Sequence, residues 1–166
     1  MPGGWVEFQD IEPTIYCDNH TMSPSDPLAT FFNLTTTALK AYGLPHYPCL
    51  PSTLRTSLLS AGFTNIQTIT KKIPISAWAQ DRRLLAAGVL AKEWVNETID
   101  AMAAKPLAAL ELGLQERKGL AMSAKRSLER EGVHRYLKMN FVFAQKVVEE
   151  VGLVSDSESY QSLGPD

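Results

Sequence analysis

Alternating apolar and polar residues near the start of the chain predict a short β-strand over Trp5–Ile11. Val6 and Phe8 fall on one side of this segment, and Glu7 and Gln9 fall on the other. A period of two is typical of a strand, because successive side chains of an extended backbone point to opposite faces. The segment is therefore expected to be a strand with one apolar face.

A turn-rich stretch and two helices are predicted after this strand. Residues 12–25 are polar and contain several turn formers, which predicts a loop long enough to cover a binding site. Asp26 and Pro27 form an N-cap and first-turn pair, and apolar residues then recur every three or four positions up to Gly43. A second helix is predicted over residues 52–61.

The remaining pattern predicts a second strand, a helical insert and a third strand. Residues 65–75 are rich in isoleucine and threonine, which favour extended structure. Asp81 begins a long amphipathic helix that ends near Lys105 and Pro106. A short helix and a charged helix over 115–130 follow, and residues 134–147 alternate again. This order predicts the α/β class, in which helices cover a sheet.

Composition and charge indicate one ordinary globular domain and exclude several function classes. The 166 residues are 45% hydrophobic and 20% charged. A net charge of −2 gives no general attraction to phosphate backbones or anionic membranes, so neither nucleic acid nor a membrane is an expected partner. No apolar run reaches the roughly 20 residues of a membrane span, and no signal-peptide pattern opens the chain. We therefore expect an intracellular protein of the cytoplasm or nucleus.

Residues that bind metals or phosphate groups are sparse. Cys17 and Cys49 are far apart and the three histidines are scattered, so no metal site is expected. After Gly3 and Gly4 the glycines are isolated, and none forms a glycine-rich loop between a strand and a helix. The last residues, 149–166, are acidic and small polar residues without lysine or arginine, which predicts a disordered tail.

Three segments, in order along the chain, resemble a known enzyme family. They are PGGWVEFQDIEP at 2–13, KKIPISAWAQDRRL at 71–84 and HRYLKMNFVFAQK at 134–146. These segments are similar to those of the fungal class I S-adenosylmethionine-dependent methyltransferases related to regulators of secondary metabolism, the type that includes partners of velvet-domain proteins. The resemblance runs from about Pro2 to Lys146.

This resemblance implies a partial Rossmann-like sheet. Trp5–Ile11, Asn65–Ile75 and His134–Val147 would be the fifth, sixth and seventh strands of the family's seven, with the last antiparallel between the other two. Residues 1–148 would be the C-terminal portion of a methyltransferase domain, with a helical insert at about 79–131. The family binds S-adenosylmethionine on its first four strands, for which this sequence has no counterpart. The chain alone is therefore expected to bind no cofactor and to be inactive.

The strand Trp5–Ile11 would be an apolar edge in the absence of a fourth strand beside it. Such an edge favours association with another chain, so a protein partner or self-association is expected there. An alternative is a non-catalytic interaction protein that pairs with a full-length methyltransferase or a velvet-type partner. A third is an independent binder of small molecules. None of these interpretations identifies the methyl acceptor.

Four residues are the candidate functional residues. Asp10 and Glu12 lie at the end of the first strand, and ligands of open α/β sheets bind beyond the carboxyl ends of the strands. Either carboxylate is a candidate catalytic base or orienting group, with a solvated loop residue as the alternative. Tyr16 and Trp78 are candidate substrate-binding aromatics. The phenylalanines at 31–32 have helical spacing and are expected in the core.

Overall fold

The computed structural model describes residues 2–44 and 50–147, in which strands and helices follow the predicted order. In chain order the elements are β1 (Trp5–Tyr16), α1 (Pro27–Ala41), α2 (Pro51–Ser60), β2 (Phe63–Pro74), α3 (Arg82–Ala104), a short 3₁₀ helix (Pro106–Leu110), α4 (Leu114–Leu128) and β3 (Tyr136–Lys146). The predicted disordered tail at 149–166 and Cys49 lie outside the described residues. The α/β class is confirmed.

The described strands form one sheet with β3 at its centre. The strand order is β1-β3-β2, and β3 is antiparallel to both neighbours. Val142 of β3 lies opposite Phe8 of β1 and opposite Thr68 of β2. The last strand therefore lies antiparallel between the other two, as the resemblance implied, and β1 forms one edge of the described sheet.

β1 is longer than the sequence pattern predicted. The pattern ends the strand at Ile11, whereas the strand continues to Tyr16, so the prediction of a loop over 12–25 is wrong for its first five residues. Pro13 explains the difference, because proline cannot donate to a ladder and usually ends a strand, but is tolerated at an edge or a bulge. The pairing with β3 shifts register between Glu12 and Tyr16, which accommodates Pro13.

Helices cover both faces of the sheet. Side chains alternate along β3, so Leu137 faces one side and Val142 the other. Leu137 belongs to the larger core cluster, which α1, α3, α4 and the 3₁₀ helix complete. Val142 packs with Leu58 of α2 in a smaller cluster. Apolar burial on both faces therefore stabilises the sheet.

Two aspartates begin the long helices, as predicted. Asp26 Oδ1 accepts from two amides in the first turn of α1 at 3.0 and 3.2 Å, and Asp81 caps α3 in the same way. α3 lies close to the end of β2, where the amide of Ser76 donates to the carbonyl of Gly88 at 2.9 Å. No described helix has both the length and the apolar composition that crossing a lipid bilayer requires.

Candidate functional site

The end of β1 meets the start of β3 in a pair of stacked tyrosines. The rings of Tyr16 and Tyr136 lie 5.5 Å apart at an interplanar angle of 21°. Tyr16 donates its hydroxyl proton to Glu12, and Tyr136 donates to Asp18 Oδ1 at 2.7 Å. Each tyrosine therefore holds one carboxylate, and the predicted residues Glu12 and Tyr16 are in direct contact.

Two lysines complete this group. Lys138 Nζ lies 3.9 Å from the centre of the Tyr16 ring, and Lys72 Nζ lies 4.7 Å from the centre of the Tyr136 ring. Lys72 also forms an ion pair with Asp18. Each tyrosine ring therefore has a lysine cation over its face, and each tyrosine hydroxyl group has a carboxylate as its hydrogen-bond acceptor. The surface at this end of the sheet is therefore an ordered polar array.

The contacts within the array raise the pKa of Tyr16 and lower the pKa of Asp18, and both shifts favour the observed hydrogen bonds. Burial, followed by the hydrogen bond to Glu12, raises the pKa of Tyr16 to about 12. Tyr16 is thus a hydrogen-bond donor across the physiological range. Hydrogen bonds from Lys72 and Tyr136 hold the pKa of Asp18 below its usual value, so this carboxylate stays ionised.

Asp10 lies apart from these groups, at the free edge of β1. Its side chain is exposed, and its Oδ1 accepts from the amide of Ile11 at 2.8 Å. Beside it, Gln9 Nε2 donates to Glu7 Oε1 at 2.8 Å. Asp10 keeps one carboxylate oxygen without a protein donor among the described residues. The two predicted catalytic carboxylates therefore differ, since Glu12 is engaged by Tyr16 and Asp10 is available.

A cavity of about 340 Å³ adjoins Asp10, and we call it the edge cavity. Strands β1 and β3 and helices α1 and α3 line it with Gln9, Asp10, Ile11, Pro13, Phe32, Thr35, Trp94, Thr98, Met102 and Met139. Phe31 and Phe32 are both buried in the core as expected, and Phe32 also lines this cavity. Sequence reasoning did not select Trp94 as a site residue, because its spacing on α3 is that of a core stripe.

Trp78 lies at a different cleft. Its ring stacks on His134 at 4.8 Å, and its Nε1 donates to the carbonyl of Arg135 at 2.8 Å. This cleft of about 600 Å³ also contains charged side chains of α3 and of the segment between α4 and β3. His134 Nδ1 lies 2.8 Å from Asn19 Nδ2. The loop at 17–26 therefore contacts Tyr136 through Asp18 and His134 through Asn19, but the structure does not bring Tyr16 and Trp78 into one pocket.

A buried ion pair fixes the end of that loop. Arg135 Nη2 donates to Asp26 Oδ2 at 2.6 Å and to Ser127 Oγ at 2.8 Å, and Ser127 Oγ donates to Asp26 Oδ2 at 2.9 Å. Burial alone would raise the pKa of Asp26, but these hydrogen bonds outweigh it and hold the pKa below its usual value. Sequence reasoning identified Asp26 only as a helix cap, since its partners are 101 and 109 residues away.

The described residues offer no preformed metal centre. No group of three or more histidine, cysteine, aspartate or glutamate side chains in residues 2–44 and 50–147 is arranged to hold a metal ion. The arrangement instead offers an apolar cavity beside the free edge of β1 and a polar array that contains the carboxylates of Glu12 and Asp18. Such a site can bind a small organic molecule and accept a proton from it.

The chain is related to fungal methyltransferases. It is 28% identical over 160 residues to the probable methyltransferase tdiE of Emericella nidulans, a match that covers 95% of this chain and 50% of the relative. It is 25% identical over 145 residues to the methyltransferase cpsF of Aspergillus campestris, covering 86% of this chain and 50% of the relative. It is 30% identical over 103 residues to the methyltransferase pytC of Aspergillus terreus, a match that covers 62% of this chain and 31% of the relative.

This chain spans about half the length of the first two of these relatives and less of the third. No protein-family model matches it, and no solved structure matches it either.

Proposed function

We propose that this chain forms the acceptor-binding half of an S-adenosylmethionine-dependent methyltransferase, and that polypeptide outside residues 2–147 holds the cofactor. The observation that carries the proposal is that 95% of this chain matches 50% of a probable methyltransferase. In this arrangement β1, β2 and β3 correspond to the fifth, sixth and seventh strands of the family sheet. The residues of this chain then bind and orient the methyl acceptor and take its proton.

The described residues do not fit the cofactor. The loops at 17–26 and 75–81, each of which joins a strand to a helix, contain no glycine, so their backbones lack the freedom for a close approach to a bound nucleoside. Asp26 and Asp81 already accept the amides of the helices that follow. We therefore propose that this chain makes no contact with S-adenosylmethionine.

The exposed edge of β1 favours pairing with an additional strand. Trp5 is 55% exposed and Phe8 is 41% exposed, and they lie on opposite faces of this strand. Large apolar side chains along an unpaired strand favour addition of a strand, which would bury both of them. A fourth strand from the cofactor-binding half would do this and would place the cofactor near the edge cavity.

We assign the proton-accepting role to Asp10, because its exposed carboxylate lies on the free edge strand and has an oxygen without a donor among the described residues. Glu12 is the second candidate, and Tyr16 orients it through the hydroxyl bond. Tyr16 and Trp78 are proposed to contact the part of the acceptor that extends beyond the cavity. Tyr16 directly precedes the loop at 17–26, and Trp78 stacks on His134, which contacts Asn19 of that loop.

Photochemical cross-linking of labelled S-adenosylmethionine tests whether the cofactor is bound outside residues 2–147. We expect the label on a peptide outside residues 2–147, and intact mass then shows whether that peptide belongs to the same polypeptide or to another chain. A photoreactive residue at Phe8 should cross-link to the cofactor-binding part, whereas one at Thr68 on the opposite edge should not. Label on peptides of β1, β2 or β3 would overturn the proposal.

The main rival is a non-catalytic interaction protein that uses the same edge. In that case the Phe8 position cross-links to a complete methyltransferase or to a velvet-type protein. The substitution Asp10→Asn separates the two functions, because loss of a general base lowers kcat by about 100-fold or more if this chain supplies it. Unchanged methyl transfer after Asp10→Asn would favour the interaction protein.

A further inference from the structure

We propose that the edge cavity binds a planar aromatic molecule that carries an O–H or N–H group, and that it discriminates against the methylated form of that molecule. The inference deepens the proposed function, because such a molecule would be the methyl acceptor. The cavity volume of about 340 Å³ lies at the small end of ligand sites, which suits a single fused-ring system.

The two threonine side chains of the cavity indicate a ligand that donates hydrogen bonds. The hydroxyl of Thr35 donates to the carbonyl of Phe31 at 2.9 Å, and the hydroxyl of Thr98 donates to the carbonyl of Trp94 at 2.8 Å. Both hydroxyl protons are therefore committed within their helices, and each oxygen keeps a lone pair for the cavity. Gln9 also lines the cavity, and its amide can both donate and accept.

The apolar walls indicate a flat ring. Trp94 is 45% exposed although it lies on a packed helix, so one side of its indole is open for stacking. Phe32 lies in the same cavity, and Met102 and Met139 add thioethers that pack well against aromatic rings. Stacking supplies affinity, and the acceptor groups select the orientation.

Methylation of the donor group removes the proton that these acceptors require. A methylated product then leaves the buried hydroxyl oxygen of Thr35 without a donor, which costs affinity. The cavity would therefore hold the acceptor and release its product without any conformational change. Thr35 is the best placed of these oxygens for such discrimination, because it is buried.

Direct binding of a matched probe pair to the full chain tests this inference. The probes are 2-naphthol, which has a donor, and 2-methoxynaphthalene, which lacks it. We expect 2-naphthol to bind about tenfold more tightly, as one hydrogen bond predicts. Equal affinity for the two probes, or no saturable binding of either, would overturn the inference.

The tryptophan side chains report where the probe binds. The chain has three tryptophans, so its nitrogen-15 spectrum shows three indole N–H signals that single Trp→Phe variants assign. 2-Naphthol should shift the signal of Trp94 and leave that of Trp78, whose indole N–H is bonded to Arg135. A shift confined to Trp78 would place the site in the other cleft and overturn the inference.

Variants test ring stacking on Trp94 and hydrogen bonding to the two threonine oxygens separately. Trp94→Ala should weaken both probes about tenfold or more, while Trp94→Phe keeps most of the affinity and Leu85→Ala, on the same helix outside the cavity, changes neither probe. Thr35→Val and Thr98→Val preserve side-chain shape and should bring the two affinities together. Unchanged selectivity in the double variant Thr35→Val/Thr98→Val would contradict the proposed donor recognition.

These measurements need neither cofactor nor methyl transfer, so the two proposals can fail independently. Donor-selective binding at Trp94 with S-adenosylmethionine cross-linked to β1–β3 would keep the cavity and remove the proposed division of the enzyme. If the cofactor label falls outside residues 2–147 and the cavity shows no donor-selective binding, the proposed division of the enzyme stands and the cavity inference fails.

Discussion

Replacing Asp26 by asparagine should cost the protein a large part of its stability. Asp26 and Arg135 are 1% and 2% exposed, and their ion pair measures 2.6 Å. Breaking a buried pair on one side leaves an uncompensated charge, at a cost of about 3 kcal/mol or more. Asparagine caps helices as well as aspartate does, so Asp26→Asn keeps the start of α1 and isolates the ion pair.

Urea denaturation at neutral pH measures this loss against two matched variants. Ser127→Ala removes one hydrogen bond from the same network and should cost about 1 kcal/mol. Asp26→Asn combined with Arg135→Met removes both charges and should recover about 1 kcal/mol or more relative to Asp26→Asn alone. A loss below about 1 kcal/mol for Asp26→Asn would refute the argument that this pair holds the loop at 17–26 against the core.

The same comparison has a defined pH dependence. Because the pKa of Asp26 is lowered in the folded protein, its contribution is complete above the unfolded value of about 4 and is lost as the pH falls through the folded value. The stability difference between the wild-type chain and Asp26→Asn should therefore narrow from neutral pH to about pH 3. A difference that stays constant over this range would contradict the assignment.

Three further changes test other parts of the structure. Gly88→Ala should destabilise the protein by about 3 kcal/mol in denaturation, since the added Cβ would lie 2.2 Å from the carbonyl oxygen of Ser76; Gly119→Ala, with no atom in reach, is the control and should be neutral or stabilising. In an absorbance titration Tyr16 should ionise near pH 12, and stability should fall as the pH rises from about 10 to 12 because the folded state retains this proton longer. Tyr16→Phe should remove one tyrosine from the late part of the titration, in which Tyr136 also ionises above its usual value, and completion of the wild-type titration near pH 10 would contradict the prediction. Phe8→Lys should reduce self-association of the chain in sedimentation experiments, because a charge on an exposed edge opposes strand addition; an unchanged sedimentation profile would show that β1 is not the associating edge.

The order and type of the elements could be read from the sequence because short-range interactions set them. The caps at Asp26 and Asp81 act on amides two and three residues away. Helical spacing and strand alternation likewise involve neighbouring positions. The α/β class follows from such local signals, and the relationship to methyltransferases was indicated by three short segments that resemble the family in the same order along the chain.

The site required contacts that no local pattern contains. Pro13 indicates a strand end by itself, and only pairing with β3 at an edge allows β1 to continue past it. Tyr16 meets Tyr136, and Asp26 meets Arg135 across 109 residues, because of the register of two strands and the packing of α4. The roles of Asp10, Glu12, Tyr16 and Trp78 stay predictions.

The edge cavity is the clearest case of this division. Each of its residues has an ordinary local reading, in which Phe32 and Trp94 belong to helix stripes and Thr35 and Thr98 bond to their own backbones. Four separate elements bring them together around one space. The sequence by itself determined which segments are helices and strands, because those choices depend on near neighbours. Only the tertiary structure decided that an acceptor-lined aromatic cavity lies beside Asp10, because its walls come from distant parts of the chain.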